Sequence, residues 1–262
     1  MTEPAEPAVA STSDRATEDQ AAEDDTDLRE SLAGLSRLSL GSTGLADMLT
    51  HVAEFAARAI PGADGAGLTL VHNERADTVV ASADFVRQVD DIQYRLGEGP
   101  CITAAREGHT VRSGSLSGEA AWPRFGPRVG RLGVHSVLSL PLAGAAGVVG
   151  ALNVYAHAKH AFDERAQALG ELFAIPAGVT VHTAEQLDQA RLVATHLKTA
   201  LTSRAVIDQA VGIVMSRSGC SAAEAFDKLK SISQTEHRKV ADVAHMIVDE
   251  AVRRARARHT QQ

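Results

Sequence analysis

V-H-S-V-L-S-L-P-L (134–142) and V-V-G-A-L-N-V-Y (148–155) are two apolar, β-branched runs joined by the small residues A-G-A-A-G (143–147). Runs of this length with so short a connection read as antiparallel neighbours in a sheet. Upstream, A-G-L-T-L-V (66–71) and T-V-V-A-S (78–82) flank H-N-E-R-A-D, and the simplest reading is a second hairpin. Before it, Leu45, Met48, Leu49, Val52, Phe55, Ala56, Ala59 and Ile60 repeat at helical spacing until Pro61-Gly62 stops them. Beyond the second pair, Asp163 suits an N-cap, and Ala166, Leu169, Leu172 and Phe173 form the stripe of the helix it opens. Strands framed by helices make this a mixed α+β domain.

The C-terminal part reads differently. No proline follows Pro176 and no glycine falls between Gly178 and Gly212, so residues 179–217 can run as one helix. Leu187, Ala190, Ala194, Leu197 and Leu201 are spaced as a short heptad seam, which suggests a coiled coil between two copies of the chain. Past Leu201 the seam would reach Arg204 and Asp208, so the apolar face is expected to move to Ile207, Val211 and Val214. Gly219 ends this helix, and S-A-A-E (221–224) is a capping box for a second one, with Ala225, Phe226 and Leu229 inward. A third is expected from near Thr235, with Val240, Val243, Ala244, Ile247, Val248 and Ala251 as its stripe. No aromatic side chain is expected to be exposed in this segment.

Composition narrows the classes. At 262 residues, with 44% hydrophobic and 23% charged residues, the chain can bury a core in one large or two smaller domains. No apolar run is long enough to cross a bilayer, and the acidic N-terminus is unlike a signal peptide, so no membrane partner and a cytoplasmic location are expected. Cys101 and Cys220 alone build neither a disulfide framework nor a cysteine-rich zinc site. The net charge of −7 divides into −8 over residues 1–27, −3 over 28–186 and +4 over 187–262. The acidic stretch 1–27 is read as a disordered tail and 28–42 as a linker. The basic C-terminal part permits a negatively charged partner.

The ordered series L-G-E-G-P-C (96–101), W-P-R-F (122–125), S-V-L-S-L-P-L (136–142) and G-A-L-N-V-Y (150–155) resembles a GAF domain of bacterial regulators, over residues 43–185. The resemblance implies a central antiparallel sheet flanked by helices. It also implies a pocket that family members use for cyclic nucleotides, haem, bilins or small metabolites. The Asn-Lys signature and spacing of the cyclic-nucleotide binders are missing, so the ligand stays unknown and no cofactor-binding residues are assigned. The glycines of 96–101 read as a structural turn with Pro100 opening a helix. Cys101 reads as a packed small side chain, and His157 and His160 as loop surface residues rather than half of a metal site.

S-R-A-V-I-D-Q-A-V-G-I-V-M (203–215), S-A-A-E-A-F-D-K-L-K-S-I-S (221–233) and K-V-A-D-V-A (239–244) resemble the ANTAR domain, over residues 186–255, with 256–262 a basic tail. The fold expected is therefore an α+β GAF-like antiparallel sheet flanked by helices, followed by an all-α coiled coil plus three-helix ANTAR domain. The resemblance implies a transcription antitermination regulator of the actinobacterial GAF and ANTAR type. Such a regulator binds RNA hairpins in nascent mRNA, usually as a homodimer. Matching positions make Arg204, Gln209, Arg217, Lys228, Arg238 and Lys239 the candidate RNA-binding residues. Arg and Lys on a helical face can meet phosphates, and Arg and Gln can hydrogen-bond unstacked bases. The chain departs from the family at Val211, often Lys, and at His237, commonly Asn. Arg253, Arg254, Arg256 and Arg258 are explained by the macrodipole at a helix C-terminus.

Two other classes stay open. An enzyme would need a glycine-rich ATP box or a His/Asp metal constellation, and neither occurs, so no catalytic and no metal-binding residues are assigned. A protein-interaction module would share the helical pattern, and salt dependence separates it from an RNA binder.

Overall fold

Alternation of side chains along a strand sends every second residue to the opposite face, and the strands here are apolar on one face and mixed on the other. The structure, a computed structural model, describes residues 12–38, 44–72, 75–144 and 147–259. Strands β1 (Gly65–His72), β2 (Arg75–Ala81), β3 (Val111–Ser113), β4 (Ser136–Gly144) and β5 (Gly147–Ala156) form one antiparallel sheet in the order β2-β1-β5-β4-β3. Both hairpins read from the sequence are present, and β5 joins them by pairing with β1, Leu68 opposite Leu152.

Leu138, Leu140 and Leu142 of β4 and Leu152 and Val154 of β5 enter one core, covered by helices α1 (Thr12–Arg37), α2 (Leu45–Ala59) and the start of α6 (Glu164–Ser218). Val137 and Tyr155 enter a second core on the other face. There α3 (Asp84–Leu96), α4 (Pro100–Glu107) and α5 (Gly126–Gly130) supply Val86, Val89, Ala104 and Val129, beside Trp122 and Phe125. The result is a three-layer α/β/α domain.

The N-terminal expectation needs correction. Residues 1–11 lie outside the described residues, but Thr12–Arg37 is helical, so neither a disordered 1–27 nor a linker at 28–42 holds over that range. Leu28 and Leu35 are buried, with Leu32 packed against the same core. A Cβ on Gly34 would lie 2.5 Å from the Phe55 ring, so the glycine permits the close approach of α1 to α2. Arg165, in the first turn of α6, bonds Asp24 at 3.2 Å, Asp25 at 2.7 Å and the Ala21 carbonyl at 2.6 Å. The acids of α1 thus meet a cation contributed from more than a hundred residues away, and the apolar stripe beneath them covers the core.

Asp163 caps α6 through the Ala166 N–H at 2.8 Å. The helix passes through Pro176 without a break. A proline there leaves the Leu172 carbonyl without its donor, and Leu172 is exposed to water. The chain divides into two compact units between Asp188 and Gln189.

In the second unit α6 is followed by α7 (Ala222–Glu236) and α8 (Val240–His259). Gly219, left-handed at φ 63°, ends α6. Ser221 and Glu224 form the capping box read from the sequence, the Ser221 N–H donating to Glu224 at 2.8 Å and the Glu224 N–H to Ser221 Oγ at 3.3 Å. Thr235 lies inside α7, so the third helix begins at Val240 rather than near Thr235. The inward stripe of α6 is centred on Val206 and Ala210, with Ile207 and Val211 at its edge, one position off the expected line. These pack with Leu229, Val243 and Ala244.

Candidate nucleic-acid interface

Residues three, four, seven or eight apart on a helix share a face, whereas those one or two apart do not face each other. The six candidate residues are all exposed, but they do not form one patch. Gln209 and Arg217 share a groove between α6 and α8, with Gly212, Ile213, Val248, Ala251 and Arg254, of about 600 Å³. Arg204 lies in a different groove, between α6 and α7, of about 440 Å³, beside Ile207, Asp208, Val211 and Phe226. Lys228 stands on α7, and Arg238 and Lys239 form the turn into α8. Arg204, Arg217 and Lys239 make no ion pair among the described residues.

Each departure from the family pattern has a local reason. Val211 is half-buried against the small core of this unit, where an ammonium would be poorly solvated. His237 closes α7 in a left-handed conformation, φ 53° and ψ 40°, a backbone state that asparagine tolerates well. That position therefore serves the turn. The turn is also held by Arg238, whose N–H donates to the Ser233 carbonyl at 3.0 Å and whose guanidinium meets the Met246 sulfur at 2.9 Å.

Phe226 corrects a second expectation. It is 38% exposed rather than buried, lines the α6/α7 groove, and carries the Lys230 ammonium 5.2 Å from its ring centroid. Arg254, read from the sequence as a helix-end cation, lines the groove of Gln209 and Arg217. Its Nε bonds Glu250 at 2.5 Å, and the same carboxylate takes Arg253 at 2.9 Å. These bonds hold Glu250 below the usual carboxylate range.

In the first unit, the family motifs prove to be joints. Gly97 and Gly99 turn the chain between α3 and α4, with Pro100 in the first turn of α4. Gly99 has φ 155°, and a Cβ there would lie 2.2 Å from Gln93 Oε1, so no other residue fits. Glu98 accepts from the Arg124 N–H at 2.7 Å, the Phe125 N–H at 3.0 Å and Arg124 Nε at 2.8 Å, so L-G-E-G-P-C and W-P-R-F are one structural clasp. The Arg124 bond above all lowers the Glu98 carboxyl's affinity for protons.

Behind this clasp lies a buried polar cluster between the sheet and α3–α4. Gln93 Oε1 accepts the Cys101 N–H at 2.9 Å, and the Cys101 thiol donates to Thr69 at 3.1 Å. Asn153 bridges Thr69 at 3.1 Å and Ser139 at 3.0 Å, Tyr94 bonds Thr69, and Tyr155 donates to Asp90 at 2.6 Å. Burial, reinforced by the nearby Asp90 charge, pushes the Cys101 thiol up to about 12. A thiol so held is a packed core group, not a nucleophile. His157 is exposed and pairs with Asp64 at 2.9 Å.

An α/β/α unit followed by a helical unit makes this a two-part chain. The GAF domain profile matches residues 42–182 and the ANTAR domain profile residues 195–248, and the chain belongs to the GAF-domain family, carrying an ANTAR domain after it. Among solved structures, the GAF domain of an Acinetobacter phosphoenolpyruvate-protein phosphotransferase is similar at 17% identity and TM-score 0.50, covering 63% of this chain and 97% of that one. The corresponding domain from Coxiella burnetii is similar at 19% identity and TM-score 0.50, covering 67% and 98%. These likenesses show the fold of the first unit. No curated protein sequence matches the chain. No helix among the described residues is long and apolar enough to cross a membrane.

Proposed function

We propose that the chain is a non-enzymatic, cytoplasmic transcription antitermination regulator, in which the ANTAR unit binds paired RNA hairpins under the control of the GAF unit. The observation that carries this reading is the placing of Gln209 and Arg217, both exposed, on one groove rimmed by a further arginine. The Arg217 guanidinium, which makes no ion pair among the described residues, favours phosphates and unstacked bases.

A second copy of the chain covers the outward face of α6. Ile175 is 68%, Leu197 60% and Leu201 70% exposed, and Leu172, Val179 and Leu187 are exposed on the same helix. The heptad spacing of Leu187, Ala190, Ala194, Leu197 and Leu201 suits another helix of the same kind. Past Leu201 the seam positions Arg204, Asp208 and Val211 line the groove that α7 closes with Ala222 and Phe226, so the coiled coil stops where the chain's own α7 takes the partner's place. Signal transfer follows from α6 belonging to the sensor core at Phe173 and to the RNA-binding core at Val206. A ligand or partner that prefers one helix register or oligomeric state shifts the other site by that preference.

The test is binding of the full chain to labelled paired-hairpin RNAs at two salt concentrations, beside an Arg204→Ala, Lys239→Ala double variant. Specific binding that falls steeply with salt and is weakened in the variant supports the reading. A folded dimer that binds no hairpin at low salt makes the helical unit a protein-interaction module instead.

A further inference from the structure

The α6/α8 groove is built for more than charge. Its floor is Gly212, where a Cβ would meet nothing within 4 Å, and its walls are the apolar Ile213, Val248 and Ala251. At about 600 Å³ it falls within the range of about 300–1,000 Å³ typical of small-molecule clefts. Its rim is polar: Gln209 and Arg217 from α6, and Arg254 from α8. Gln209 and Arg217 are eight residues apart, about 12 Å along the helix at ~1.5 Å per residue.

We infer that this groove receives a single unpaired base from the RNA hairpin loop, its face on Gly212 and its flanking phosphate on Arg217. This rests on the RNA-binding reading and names what that site holds. The charge pattern selects the occupant. An apolar helix would leave the Arg217 guanidinium and the Nη groups of Arg254 without partners over its hydrophobic stripe, whereas a nucleotide presents an apolar ring face, polar ring edges and an anion together. The carboxamide of Gln209 both donates and accepts, which matches a base edge. Arg254 supplies a planar guanidinium whose direction is set by its Nε bond to Glu250, leaving both Nη groups without a protein partner among the described residues. Glu250 is therefore a positioning residue. The absence of an aromatic platform in this groove is offset by guanidinium planes and the flat, uncovered glycine.

The test uses the full chain and hairpin RNAs carrying 2-aminopurine at successive loop positions, reading affinity by anisotropy and base environment by fluorescence. In the unaltered protein one loop position changes its fluorescence on binding. Gly212→Leu fills the groove from its open floor, and Ala251→Leu fills it from the opposite wall. Each is expected to weaken binding about tenfold or more and to abolish the change at that position, with helicity and oligomeric state retained. Glu250→Gln is expected to reduce the fluorescence change more than the affinity. If RNA binds both filled variants as tightly as the parent, or if no loop position responds, the inference is overturned while RNA binding by the unit stands. If the parent binds no hairpin, the functional reading falls and this inference with it.

Discussion

Tyr155 donates its phenolic proton to Asp90 Oδ1 at 2.6 Å, with both side chains fully buried between β5 and α3. A carboxylate so placed depends on its donors, since an ionised group taken out of water is costly unless bonded. Tyr155→Phe keeps the ring and removes that donor. It is expected to lower stability by about 2–3 kcal/mol, measured as the urea midpoint at pH 7. An unchanged midpoint would show that the bond contributes little.

Alkaline pH should weaken the first unit through Cys101. Its folded-state value of about 12 exceeds the ordinary 9.0, so the folded state holds this proton more firmly than the unfolded one. The contribution is intact below pH 9 and is lost as pH rises from 9 toward 12. Stability should therefore fall between pH 9 and 10.5 in the parent and fall less in Cys101→Ser, whose hydroxyl does not titrate there. Above pH 10 Tyr155, also raised mainly by burial, adds a slope of the same sign in both proteins. Native protein should label at half-buried Cys220 and not at Cys101 with a thiol reagent.

The N-terminal helix should be an integral part of the first unit. Leu35→Ala empties a buried site between α1 and the core and is expected to cost about 2–4 kcal/mol. Arg165→Met removes the cation that takes Asp24 and Asp25 and should make α1 the first segment cut in limited proteolysis. Cleavage of the parent within residues 20–37 at the same rate would contradict the packing described.

Placing charges on the α6 seam should separate association from folding. Leu197→Glu and Leu201→Glu alter residues that are exposed in a single chain, so helicity should persist while light scattering shows a monomer in place of a dimer. High salt should leave the parent dimer intact, because the seam is apolar. A parent that is monomeric at tens of micromolar would remove the basis for the coiled coil.

Local signals in the chain carried most of the architecture. The runs at 134–142 and 148–155 became β4 and β5, Asp163 opened α6, and Ser221 with Glu224 capped α7. Each depends on residues within a turn or a hairpin of one another, where spacing and side-chain chemistry act directly. Residues 12–37 were harder to read, because their acids outweighed the stripe of Leu28, Leu32 and Leu35 and because the compensating Arg165 is remote in sequence.

The candidate site was legible as residue types and not as a place. The resemblance to the ANTAR domain singled out Gln209 and Arg217, yet it could not tell that α8 would lay Arg254 beside them, or that α7 would draw Arg204 into another groove with a half-exposed Phe226. By itself the sequence determined the two hairpins, α2, the caps that open α6 and α7 and the two-part organisation, because those are set by contacts between near neighbours. Only the tertiary structure decided which helix faces meet, and therefore which charges share a groove, because packing joins residues whose separation along the chain carries no information about their separation in space.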